Sequence, residues 1–261
     1  DNSRLNMTLK ADFRVNRALT IGASVFANGR EQSGFLTETS GYTNPIYYSR
    51  MAAPYAQLYD ENGGYLYDHD IQDRSDEQAV FNTAEERANT SKRRRDRSVL
   101  ATVDAELKLP FGLKATTQFG IQYDAYRLDK KAENDSYAMR RDKERATYGG
   151  TCILPDGGFR RTTDGEQVQW LWKGLLEWRH VWQDEHELQL MAGSEVRHND
   201  AESTYSAAYG YDDRSLTTLP VIFPSESIAR QWPLYTATHT ENAYVSWFAT
   251  ASYTAWHRYT L

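Results

Sequence analysis

In "RLNMTLKADFRV", Arg4 to Val15, apolar and polar positions alternate: Leu5, Met7, Leu9, Ala11, Phe13 and Val15 against Arg4, Asn6, Thr8, Lys10, Asp12 and Arg14. A period of two sorts these side chains onto opposite faces of a β-strand with one wet face. The pattern recurs. "NRA" (Asn16 to Ala18) predicts a tight turn, after which Leu19, Ile21, Ala23, Val25 and Ala27 oppose Thr20, Ser24 and Asn28. Val99, Ala101, Val103, Ala105, Leu107 and Leu109 alternate with Thr102, Asp104, Glu106 and Lys108, "PFG" (Pro110 to Gly112) turns the chain, and Leu113 to Asp124 repeats the design. Val168, Trp170, Trp172, Leu176 and Trp178 begin a third hairpin, which turns at "QDEH" (Gln183 to His186) and climbs away through Leu188, Leu190, Ala192 and Val196. "NAYVSWFATASYTAW" then descends to a turn at His257 and Arg258. The pattern predicts seven strands and the start of an eighth.

Connection length alternates too. Turns of about three residues take turns with long segments of about 65, 40 and 40 residues, far beyond an ordinary connection. A soluble sandwich has no reason to sort its loops in this way, whereas a transmembrane barrel has short turns at one rim and long loops at the other. Aromatics gather toward both strand ends: Phe13, Phe111, Trp178, Trp182, Tyr253 and Trp256 by the turns, and Phe26, Tyr123, Trp170, Trp172 and Trp247 by the loops. Two interfacial girdles are expected from that placement. The predicted fold class is all-β, an antiparallel transmembrane β-barrel segment whose oily face meets lipid and whose charged face lines a wet or plugged lumen. A soluble two-sheet protein is the alternative architecture.

Composition fits the barrel. The 261 residues have a mean hydropathy of -0.74, a net charge of -6 and no apolar run of membrane-helix length. Half of each strand is polar and the loops dilute the rest. The mild acidity gives no general case for nucleic-acid binding. Cys152 has no partner for an internal disulfide and reads as an ordinary loop residue rather than a nucleophile. The chain starts at Asp1 without a signal segment and stops at "HRYTL"; both ends read as cuts inside a longer protein.

Three stretches carry a family resemblance. "YVSWFATASYTAWHRYTL" (Tyr244 to Leu261), "SRLNMTLKADFRVNRALTIGASV" (Ser3 to Val25) and "NPIYYSRMAAPYAQLYDENGGYLYD" (Asn44 to Asp68) resemble strands, turns and a long-loop segment of the SusC/RagA-type TonB-dependent outer-membrane transporters. Ala255 and Trp256 depart from that pattern. The resemblance implies that residues 1–261 are an internal piece of the barrel domain, with the plug, the TonB-contacting segment and the closing C-terminal strands lying outside. It further implies import of a bulky nutrient, an oligosaccharide or a peptide, across the outer membrane of a Gram-negative bacterium, together with a SusD-like surface lipoprotein. Partners implied are that lipoprotein, the TonB complex and outer-membrane lipid. The other class of reading is a soluble β-rich glycan-binding or glycan-cleaving protein.

Signatures of chemistry are sparse. GxxxxGK[ST], HExxH, GxSxG and CxxC are all missing from the sequence, so no enzyme activity and no cofactor are expected. "DENGGYLYDHDI" from Asp60 has Gly64 and Ile71 where a calcium loop needs ligands. "DHD" (Asp68 to Asp70) lacks a second His and reads as a solvated loop; Asp212 and Asp213 are adjacent acids that nothing singles out as glycosidase carboxylates. "SKRRRDR" (Ser91 to Arg97) reads as a solvated loop first, and as a rim contact with lipid phosphates ahead of nucleic acid. Tyr47, Tyr48, Tyr55, Tyr59, Tyr65, Tyr67 and Trp232 are the candidate substrate or partner surface, set against a role in packing the loops themselves.

Overall fold

The computed structural model of the chain describes residues 1–68, 79–183, 185–256 and 258–261. One continuous antiparallel sheet dominates it. Its long strands are β1 (Asn2–Arg14), β2 (Leu19–Gly34), β3 (Thr90–Lys108), β4 (Leu113–Ala132), β7 (Gly158–Trp182), β8 (His186–Asp212) and β10 (Tyr235–Ala255), and β11 (Tyr259–Thr260) begins an eighth. A short hairpin of β5 (Thr147–Tyr148) and β6 (Thr151–Cys152) stands apart, and β9 (Thr217–Leu219) adds to β8. The order β1-β2-β3-β4-β7-β8-β10-β11 is that of an up-and-down meander, each long strand beside its neighbours in sequence. Among the described residues no helix is long and apolar enough to cross a membrane.

Register carries the predicted alternation across the whole sheet. Leu9 pairs with Val25, Ala23 with Val103, Val103 with Phe119 and Phe119 with Trp172, so one face is an apolar band. The opposite face pairs Gly22 with Asp104, Asp104 with Gln118, Gln118 with Lys173 and Lys173 with Glu195. Burial is inverted relative to a soluble sheet. Leu9, Val103 and Ile121 are 65%, 51% and 43% exposed, and no described element covers them. Lys10 shares that open edge strand, but Asp104 and Gln122 on the polar face are only half exposed.

The buried core lies at the loop end of the polar face. Ala132, Phe159, Ala207 and Tyr209 project from the upper strand ends beneath Leu36, Ala138, Met139, Ala146 and Leu154 of the connections. Among the described residues four short helices build this cap: α1 (Pro45–Met51), α2 (Thr83–Asn89), α3 (Tyr137–Arg145) and α4 (Glu226–Gln231). Each begins at an Asn or Ser whose side chain accepts amide hydrogens of the first turn, namely Asn44, Asn82, Ser136 and Ser225.

The strands reach further than alternation of apolar residues indicates. The three long connections shrink to residues 35–89, 133–157 and 213–234. "SKRRRDR" is therefore strand, not loop: Lys92 to Arg97 pair with Gly29 to Gly34 on one side, and Ser91 to Arg97 pair with Ala125 to Lys131 on the other. Hydrophobic pattern marks a strand only while one face needs apolar cover; above the band both faces are polar and only backbone pairing reveals it. Phe26 corrects a second expectation. It pairs with Thr8 and Leu100 on the polar face, so it is no part of an aromatic girdle. Trp172, paired with Phe119, sits in the body of the band and donates its indole hydrogen to Thr117 Oγ1 at 3.1 Å.

Candidate functional site

Two aromatic assemblies occupy the loop end. The first is built on Phe81, whose ring meets Tyr48 at 5.3 Å and Tyr137 at 5.1 Å, both edge-on. Asn82 fixes it, donating from Nδ2 to the carbonyls of Leu58 (2.8 Å) and Leu66 (2.6 Å) while its Oδ1 caps α2. Tyr48 donates to Asp68 Oδ2 at 3.2 Å and Tyr67 to Glu85 Oε1 at 3.1 Å. Burial, with Asp68 close by, pushes the Tyr48 hydroxyl up to about 12. These two tyrosines belong to the loop's own framework. Tyr47, Tyr55, Tyr59 and Tyr65 stay on its surface, Tyr55 at 85% exposure and Tyr59 and Tyr65 with ring centroids 5.6 Å apart.

Trp232 belongs to the second assembly, a cavity of about 360 Å³ on the polar face. Four elements converge there. Strand β7 supplies Arg161, strand β8 supplies Tyr205 and Tyr209, α3 supplies Asp142, and the end of α4 supplies Gln231 and Trp232. Arg161 pairs with Asp142, donates from Nη2 to the Tyr209 hydroxyl at 3.0 Å, and lies 4.0 Å from the centroid of Phe159. Tyr209 meets Trp232 edge-on at 6.2 Å. Trp232 Nε1 donates to the Tyr148 hydroxyl at 3.2 Å, which in turn donates to Gln231 Oε1 at 3.2 Å. Burial pushes the Asp142 carboxyl and the Tyr209 hydroxyl upward, with the Arg161 guanidinium opposing both shifts. Arg161 Nε is buried with no hydrogen-bond partner in the structure. Stacking rings beside a fixed guanidinium suit a sugar ring or a peptide segment with an acidic or carbonyl group.

The seven sequence candidates thus divide three ways. Two are framework, four are surface, and Trp232 sits in a different connection from the rest. Sequence reasoning passed over Arg161, Asp142, Tyr148, Tyr205 and Tyr209. Tyr205 and Tyr209 did carry a signal, since their spacing on one strand puts both on one face. Asp142 and Tyr148 carried none, because a helix and a hairpin of the second connection deliver them.

The remaining motifs resolve into local structure. Asp60 Oδ1 accepts the amides of Asn62 (2.8 Å) and Gly64 (2.7 Å), closing a tight turn. Asp213 Oδ1 accepts from Lys131 (2.8 Å) and from the Tyr211 hydroxyl (2.8 Å), while Asp212 caps Arg214. His69, Asp70 and Ile71 lie outside the described residues. Cys152 is exposed.

No family model matches the chain, and no curated protein does. Solved structures do. The chain is similar to a structure of the RagAB peptide transporter, at 16% identity over 98% of this chain and 26% of that one, with a TM-score of 0.66. The RagAB peptide importer in its "closed-closed" state matches at 15% identity over 97% and 26%, TM-score 0.66. In its "open-open" state it matches at 16% over 98% and 26%, TM-score 0.68. The likeness is one of fold: this chain has the fold of a sector of a β-barrel transporter, about a quarter of the length of the chains it matches.

Proposed function

We propose that this chain is part of the wall and loop-side mouth of a plugged outer-membrane barrel that imports a bulky nutrient. The observation that carries the reading is the inverted burial: an apolar band uncovered on one face, and a charged face capped by loops. Water would penalise that arrangement, at about 25 cal/mol for each Å² of apolar surface left wet; lipid on the apolar side removes the penalty. The cargo is an oligosaccharide or a peptide, and the likeness to a peptide transporter favours the peptide. A SusD-like lipoprotein covers the mouth, TonB supplies energy through parts outside this chain, and the chain itself catalyses nothing.

The cavity around Arg161 and Trp232 is the cargo contact within this sector, and Tyr47, Tyr55, Tyr59 and Tyr65 offer the lipoprotein surface. In the full transporter, Trp232→Ala is expected to lower uptake of the nutrient while the barrel stays inserted. Removing residues 45–67 should weaken lipoprotein association. Unchanged uptake and unchanged association would place the contacts on other strands or on the plug. A full polypeptide that partitions into the aqueous fraction without detergent would overturn the transporter reading in favour of a soluble glycan-binding protein.

A further inference from the structure

Strand β3 changes character on one face without changing face. Reading outward along alternate residues, Leu107, Ala105, Val103, Ala101 and Val99 are followed by Arg97, Arg95 and Arg93. All three arginines are exposed. Register brings Arg127 of β4 opposite Arg95, and Glu31 of β2 opposite it on the other side. Arg93 and Arg95 share the single carboxylate of Glu31, Arg127 reaches only Asp164 at 3.7 Å, and Arg97 has no ion-pair partner among the described residues. Four guanidiniums thus share two ion-pairing carboxylates, and Asp129, which lies opposite Arg93, is held by Arg160 at 2.6 Å. An open groove of about 530 Å³ runs between Arg95, Arg97 and Arg127.

Depth decides what meets this ladder. The eight steps from Leu107 to Val99 span about 26 Å along the strand, or about 20 Å along the membrane normal at a tilt of about 40°. Arg97 and Arg95 then stand about 5 and 10 Å beyond the end of the apolar band, the depth of the headgroups of a thin outer membrane. The ring of Tyr123, paired with Val99, marks the boundary. At that level, on that face, the neighbours are lipid headgroups.

We infer that Arg93, Arg95, Arg97 and Arg127 form a binding site for the phosphate groups of an outer-leaflet lipid. This rests on the barrel reading above. Guanidinium forks match phosphate oxygens in pairs, and exposed cations at headgroup depth, Arg97 without an ion pair among them, attract anionic lipid. Toward β7 and β8 the same face carries Asp164, Glu166 and Glu202, which confine the phosphates to the β2–β4 side.

The test uses the full transporter in detergent, titrated with a bisphosphorylated lipid A-type glycolipid, its dephosphorylated form, or inorganic phosphate, with bound lipid counted by native mass spectrometry. The wild type should retain the bisphosphorylated lipid selectively. Arg95→Gln with Arg97→Gln should weaken retention about 30-fold, equivalent to about 2 kcal/mol. Arg30→Gln on the polar face should change nothing, and Glu31→Gln should strengthen retention without removing any cation. Heat-modifiable migration reports barrel insertion separately, so a protein that never inserts refutes the barrel reading. An inserted barrel that holds both lipids equally, or gains the same protection from inorganic phosphate, overturns the site. So does a double variant that keeps its lipid but loses a partner protein.

Discussion

Val103 and Asp104 are neighbours in the chain and opposites in environment. Val103 is flanked by Ala23 and Phe119 on the apolar face, while Asp104 lies between Gly22 and Gln118 on the polar one. A Cβ at residue 22 would stand 2.6 Å from the Asp104 carboxylate, so glycine there makes room for it. Arginine at 103 would place a charge against lipid and is expected to cost about 2–4 kcal/mol. Arginine at Gln122, on the polar face beside Asp124, should cost little, since the two groups already lie within 2.7 Å. Refolding titrations of Val103→Arg and Gln122→Arg into bilayers measure the difference, and equal costs would reverse the assignment of faces.

Among elements, the turns at one end are tight and the connections at the other are packed, and each kind fails differently. In the Pro110–Gly112 turn, Phe111 and Gly112 both take positive φ, 67° and 76°. A Cβ at residue 112 would come within 2.0 Å of the Arg179 carbonyl oxygen, so Gly112→Ala is expected to lose about 1–3 kcal/mol in the same titration. At the other end, Glu86 of α2 is fully buried and accepts from the Ala138 amide at 3.4 Å, tying the first connection to the second. Burial pushes its pKa from 4.5 up to about 7, against the amides of Ala138 and Tyr137 and the charge of Arg140. Folding thus tightens proton binding, so the cap is most stable below pH 4.5 and loses that stability as pH rises through 7. Amide exchange at Ala138 should be slower at pH 5 than at pH 8 after correction for intrinsic rate. Glu86→Gln should remove most of the difference.

At the scale of the molecule the sheet is open. The outer edge of β1 and the last strands keep backbone groups that no described strand satisfies, and lipid offers those groups no partner. The 261 residues expressed alone should therefore aggregate or require detergent. A monomeric, water-soluble and cooperatively melting product would show that the arc closes on itself and would rule out a larger barrel of about 22 strands.

What the amino-acid order determined by itself was the division into faces and the number of strands. The seven long strands, the short turns and the orientation of Leu9, Val103, Ile121, Asp104 and Gln122 were legible because a period of two, sustained beside lipid or water, admits one arrangement. Where that contrast ends, legibility ends. Ser91 to Arg97 read as loop, since a strand wet on both faces has no hydrophobic signature, and Arg93, Arg95 and Arg97 became an outward ladder only through pairing with β2 and β4. Trp232 could be named from its side chain. That it meets Tyr209, and that Arg161 and Asp142 complete the cavity, was decided by tertiary structure alone, because those four residues come from four elements brought together across the sheet's loop end.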